Sequence, residues 1–272
     1  MTPARYCGCM RRTTSQSLEL PRVEDGDDPS DPYYYGFRYA YETSADGSRK
    51  LVQVPLTYAD LLDPREDDFI AESTIHYQLI HDLNDMLRHR YRDQAATAVW
   101  SNLKLNIVIP GLTTGPGPDV CVIDGVEDRD RQRKSFRFGE EPGTIRLVIE
   151  VVSERSRVKD TRDLLKVFSR LEVEEYVAVF PEGSYASGPF ELKGWRLGKA
   201  TGRLRPLRPA ADGRLHLRAT NLVIGTGEDG WGLYLWDAVT GERLKTPEEA
   251  RIEAERRAQA AEAELERLRS GR

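Results

Sequence analysis

The chain alternates between periodic apolar stretches and polar, Gly/Pro-rich text. The clearest helical stripe lies in "DDFIAESTIHYQLIHDLNDMLRHRYRD", residues 67–93. There Ile75, Leu79, Leu83 and Leu87 recur every four residues, and Ile80 and Met86 widen the face. That spacing predicts one long amphipathic helix. A shorter helix is expected at "TYADLLDP". Downstream, "AVWSNLKLNIVI", "DVCVID", "IRLVIEVV" and "EEYVAVF" have the short apolar runs of strands. Between the last two, "VKDTRDLLKVFSRL" predicts a helix with Leu164, Phe168 and Leu171 on one face. Strand, helix, strand is the order of a parallel crossover within a mixed sheet. The charged text "GVEDRDRQRKSFRFGEEPGT" is expected to be an exposed connection. Residues 188–236 are expected to return as short antiparallel strands at the sheet edge. The aromatic run "YYYGFRYAYE", residues 33–42, reads as a strand or arm packed on the domain edge, with base stacking as the functional alternative.

The tail "TPEEARIEAERRAQAAEAELERLRSGR" opens on a cap-like Thr246-Pro247-Glu248-Glu249. Ala254, Ala258, Ala261, Leu265 and Leu268 step by four and three, a short seam of mostly alanine. Acids and arginines alternate around it, so a solvated or weakly self-associating helix is expected, not a basic DNA-binding arm. The chain thus divides into a disordered N-terminal segment (1–32), a folded domain (33–240) and a C-terminal charged helix (246–272).

Composition narrows the function. The 272 residues suffice for one medium-sized core. A net charge of −5 leaves no global basic footprint, so a nucleic acid would have to be held by a local patch. Cys7, Cys9 and Cys121 cannot form a disulfide framework and read as reduced thiols. His76, His81, His89 and His216 form no zinc-spaced cluster with them. No apolar run reaches the roughly 18 residues of a membrane span, and the N-terminus lacks a signal-type apolar region. A cytoplasmic protein without a membrane partner is the expectation.

Two carboxylates stand out. Asp119 opens a strand directly after "GPGP", and Glu150 interrupts the most apolar strand. Alternation places Val148, Glu150 and Val152 on one face of that strand, and Leu147, Ile149 and Val151 on the other. If the two strands are neighbours, the acids converge at one end of the sheet. Converging acids in a poorly solvated place repel each other, and a divalent cation relieves the repulsion. No phosphate-binding loop, dinucleotide fingerprint or nucleophile elbow is present.

"PDVCVIDG", then "LVIEVVSERSR", then "VFSRLEVEEYVAVFP" resembles the Uma-type restriction endonucleases, a branch of the PD-(D/E)xK nucleases. The upstream "YADLL…DDFIAES…H" and the terminal "GERLKTPEEARIEAE" extend the resemblance over roughly residues 55–255. It implies an α/β, restriction-endonuclease-like core with a mixed central sheet flanked by helices, followed by the charged C-terminal helix. It also implies a Mg²⁺-dependent endonuclease acting on DNA, with Mn²⁺ as the alternative ion and a homodimer as the natural state for double-strand cleavage. By position, Asp119 and Glu150 match the family's metal-binding acids. Asp160 matches its aspartate at the helix start, and His76 a histidine of the first long helix. Glu72 is a further acid within reach of the ion. The chain departs from the family at its lysines. The superfamily position is Val152, and the position on the following helix is Leu164. Lys104, on the strand before the loop, is the candidate replacement, although the plain reading of Lys104, Lys159 and Lys166 alike is a surface lysine. The family's glycine after that helix is Glu172 here. A catalytically weakened protein of the same fold that binds nucleic acid or a protein partner is therefore the alternative.

Overall fold

The structure, a computed structural model, describes residues 28–70, 72–107, 115–181, 190–227 and 232–270. Of the segment 1–32 expected to be disordered, residues 1–27 lie outside the described residues, as does the 111–114 part of the Gly/Pro loop, while residues 28–32 are described in turns, with Asp31 N–H donating to Asp28 O at 3.0 Å.

The elements follow in chain order. A hairpin of β1 (Phe37–Thr43) and β2 (Arg49–Pro55) precedes α1 (Tyr58–Leu62), the short β3 (Asp68–Phe69) and the long α2 (Thr74–Arg90). Then come β4 (Thr97–Trp100), β5 (Lys104–Ile107), β6 (Val120–Asp124), β7 (Ser135–Phe138) and β8 (Thr144–Val151). A π turn (Lys159–Asp163) leads into α3 (Leu164–Arg170) and β9 (Glu175–Phe180). The chain continues through β10 (Glu191–Gly198), β11 (Arg203–Pro206), β12 (Leu215–Leu217), β13 (Leu222–Thr226) and β14 (Leu233–Asp237), and ends in α4 (Pro247–Ser270).

The central sheet has six strands in the order β11-β10-β9-β8-β6-β4. β8 and β9 are parallel, joined by the crossover through α3, and the other pairings are antiparallel. This is the mixed sheet flanked by helices that the pattern predicts. The alternation along β8 sorts its residues as expected. Leu147, Ile149 and Val151 join the core under α2, together with the small sheet β12-β13-β14. Val148 and Val152 join the core under α3, with Leu164, Phe168 and Leu171.

Three expectations need correction. The long helix is shorter than 67–93. It starts at Thr74, where the Ser73 hydroxyl accepts the His76 N–H at 3.2 Å as an N-cap, and Asp68–Phe69 is instead paired with β1. The charged connection 125–144 is not wholly exposed. It carries β7, which pairs in parallel with β5 and buries Phe136 completely. "GLYLWD" does not join the edge of the main sheet but completes the separate sheet β12-β13-β14.

Candidate active site

β6 and β8 are antiparallel neighbours, and Val120 pairs with Ile149. Asp119, one residue before Val120, therefore sits opposite Glu150 at one end of the sheet. The segment leading to Asp119 is pinned from behind: Asn102 N–H donates to Pro118 O at 2.9 Å and Leu105 N–H to Pro116 O at 2.8 Å. The Val151 N–H donates to Asp119 Oδ2 at 2.7 Å, which fixes the carboxylate against β8.

Helix α2 approaches the same point. His76 Nε2 lies 3.1 Å from Asp119 Oδ2, and its Nδ1 lies 2.8 Å from Glu72 Oε2. Burial alone would lower the pKa of His76, but hydrogen bonds to Asp119 and Glu72 outweigh it and push the value up to about 10. The ring thus lies between two carboxylates that favour its charged form in the absence of a metal.

From the other face of the sheet comes a group that the sequence reading placed on the surface. Lys159 Nζ lies 3.2 Å from Asp160 Oδ1 and 3.9 Å from Glu150 Oε2, and its side chain is only 16% exposed. Burial would depress the ammonium, but Glu150 and Asp160 outweigh it and hold it charged. The π turn explains why this lysine was missed. In a regular α-helix, residues five apart are rotated about 140° from each other, so Lys159 should not share the sheet-facing side of Leu164. Here the Leu164 N–H bonds back to Lys159 O, so the turn closes over five residues and both face the sheet.

Lys104 is placed elsewhere. Its Nζ donates to Asp63 Oδ1 at 2.6 Å and to Pro64 O at 3.0 Å. Gly115 N–H donates to the same Asp63 oxygen at 3.2 Å, and a Cβ at Gly115 would stand 2.7 Å from the Lys104 chain. Lys104 is therefore a strut between α1 and the loop. Lys166 is solvent-facing, 75% exposed beside Asp163.

Glu150 is 2% exposed, and among the described residues its Oε1 has no hydrogen-bond partner. Burial, and next the charge of Asp119, hold its pKa well above the usual carboxylate range, against the opposing charges of Lys159 and His76. Asp160, 1% exposed, is raised by burial in the same way. An unsatisfied buried carboxylate is a donor atom in search of a cation. Fully ionised, Glu72, Asp119, Glu150 and Asp160 exceed His76 and Lys159 by two charges, the charge of one divalent ion. Ligand atoms of Glu72, His76 and Asp119 also lie within 4.8 Å of one another, with Glu150 outside that group. Asp119 belongs to both groups of possible ligands, the Glu72–His76–Asp119 cluster and the facing pair with Glu150. These groups line one cavity of about 450 Å³.

Among the described residues, no helix is long and apolar enough to cross a membrane. The family model described as "Uma2: Putative restriction endonuclease" matches residues 69–188. A crystal structure of "a putative nuclease belonging to DUF820" from Anabaena variabilis ATCC 29413 aligns with 10% identity over 73% of this chain and 76% of that chain, with a TM-score of 0.32. No curated protein matches the sequence.

Proposed function

With residues 69–188 a segment of the Uma2 family, we propose that this chain is a Mg²⁺-dependent endonuclease hydrolysing DNA phosphodiester bonds. Mn²⁺ is the alternative ion, and the C-terminal helix is a candidate self-associating element. One observation carries the reading: Glu150, 2% exposed with an unsatisfied oxygen, is set opposite Asp119 on the neighbouring strand. Such a pair is unfavourable for folding and is explained by cation binding.

Asp119 and Glu150 would hold the ion, with Glu72 at the periphery. A bound divalent cation supplies Lewis acidity and lowers the pKa of water near the scissile phosphate. The chain's own groups do the rest. The Val151 N–H holds Asp119 in one rotamer. His76, clamped between Glu72 and Asp119, holds a proton beside the reacting phosphate. Lys159 brings a positive charge to Glu150 and Asp160, filling the role left open by Val152 and Leu164. A positioned charge of this kind contributes on the order of 2–4 kcal/mol to transition-state stabilisation.

Purified protein with Mg²⁺ or Mn²⁺ is assayed on plasmid and oligonucleotide DNA beside Asp119→Ala and Glu150→Ala. The expected result is metal-dependent cleavage lost in both variants. Residual cleavage equal to the parent would sink the assigned site. Salt-sensitive DNA binding without cleavage would select the weakened, binding-only reading.

A further inference from the structure

We infer that Tyr176 is a positioning residue of the site: its hydroxyl occupies the carbonyl of Asp160 and so keeps open the π turn that carries Lys159 to Glu150. The consequence for cleavage rests on the nuclease reading above; the placement of Lys159 does not.

Two carbonyls compete for one donor. In a regular α-helix each N–H bonds the carbonyl four residues back, so the Leu164 N–H would bond Asp160 O. Here it bonds Lys159 O instead. Asp160, 1% exposed, has thereby lost the regular donor to its carbonyl, and a buried carbonyl without a donor is unfavourable. The replacement comes from the sheet: the Tyr176 hydroxyl donates to Asp160 O at 2.8 Å. Without that hydroxyl, the favoured arrangement is the regular one, with the Leu164 N–H returned to Asp160 O. Lys159 would then stand about 140° round the helix from the sheet-facing Leu164, turned away from Glu150.

The ring of Tyr176 is held firmly enough to act in this way. It is 0% exposed, on β9, at a position paired with Val148 of β8. Phe168 packs on it with ring centroids 5.1 Å apart, and Trp195 stacks on it at 5.2 Å with an interplanar angle of 20°. These contacts use the ring alone, and a phenylalanine would serve them equally. The oxygen serves the turn. Burial, and next the charges of Asp160, Glu150 and Asp119, raise the phenol's pKa well above its ordinary value, so it keeps its proton and donates.

The test labels lysines in the metal-free full chain with acetic anhydride and reads each position by peptide mass spectrometry. The Lys159 and Lys166 side chains are 16% and 75% exposed, so Lys159 should react roughly fivefold more slowly. In Tyr176→Phe, which keeps the ring, that protection is expected to be lost. Cleavage is expected to fall by about tenfold to a hundredfold, the scale of a misplaced group. In a Lys159→Met background the same change should then matter by less than about twofold. Deleting Arg162, 63% exposed, supplies the rescue. It puts Lys159 four residues before Leu164, the spacing at which a regular helix turns both to one face, and gives Asp160 O the Leu165 N–H. With Arg162 deleted, Tyr176→Phe should leave Lys159 protected. If Tyr176→Phe alone fails to fold, recovery of the fold and of the protected lysine on deleting Arg162 upholds the inference, and no recovery overturns it. A folded Tyr176→Phe with Lys159 still protected overturns it and leaves the nuclease reading standing. An equal loss of cleavage in the parent and Lys159→Met backgrounds overturns it too. Lost protection in Tyr176→Phe, from a parent that cleaves no DNA, upholds the placement and removes the nuclease reading.

Discussion

Glu150 makes the site unfavourable for the fold that carries it, and that has a measurable sign. Its folded-state pKa is raised by burial and by Asp119, so the folded chain holds this proton to higher pH than the unfolded chain does. Stability without metal therefore falls as pH rises from the ordinary carboxylate range through the raised value. Glu150→Gln keeps the shape and removes the charge. It is expected to abolish cleavage and to raise stability in EDTA near neutral pH by about 1–2 kcal/mol, with a flatter stability–pH profile in denaturant titrations. Lys159→Met tests the opposite charge. Loss of the ammonium is expected to cut cleavage by about 10²–10³-fold and to steepen the same profile, because Glu150 and Asp160 lose their shared cation. A parental cleavage rate in Lys159→Met would remove that lysine from the mechanism. Glu150 is conspicuous in the sequence because a carboxylate interrupts an apolar run. Lys159 is not, because a lysine among charged residues near a helix start looks solvated.

At the scale of elements, α3 ends in a Schellman arrangement. The Val173 N–H donates to Phe168 O at 3.0 Å and the Glu172 N–H to Ser169 O at 3.2 Å, while Val173 and Phe168 are buried in the same core. The motif requires a left-handed residue, and Glu172 supplies it at φ 52°. A side chain there is unfavourable by roughly 1–2 kcal/mol, partly offset because glycine loses more entropy on folding. Glu172→Gly is thus expected to stabilise the protein by up to about 1 kcal/mol, seen as a higher thermal midpoint with cleavage unchanged. A lower midpoint would contradict this. The glycine pattern of the resembled family already marks this position as a turn. The π turn at the other end of the helix has no such mark, since it adds one residue to a turn without changing which residue types are present.

At the scale of the molecule, the two faces of the central sheet bring different cargo to the Asp119–Glu150 pair: His76 and Glu72 with α2, Lys159 and Asp160 from the turn that leads into α3. The greater part of α4 stands apart from this assembly, with every residue from Ala254 to Ser270 exposed. Deleting residues 254–272 is expected to shift stability by less than about 0.5 kcal/mol and to leave the core's circular dichroism melt in place. If the helix is the self-associating element, sedimentation equilibrium should show the truncated chain losing any dimer that the full chain forms. A core that melts earlier after truncation would contradict the exposed placement. The sequence by itself determined the long helices, the strands around Asp119 and Glu150 and the mixed α/β class, and it singled out those two acids, because apolar periodicity and a misplaced charge are local signals. Only the tertiary structure decided that Asp119 and Glu150 are neighbours, that His76 reaches Asp119 across 43 positions, and that β7 pairs with β5. It also decided that Lys104 braces a loop while Lys159 enters the site. These depend on strand order and on one turn's hydrogen bonding, and periodicity along a chain records which face a residue takes, not what it will meet there.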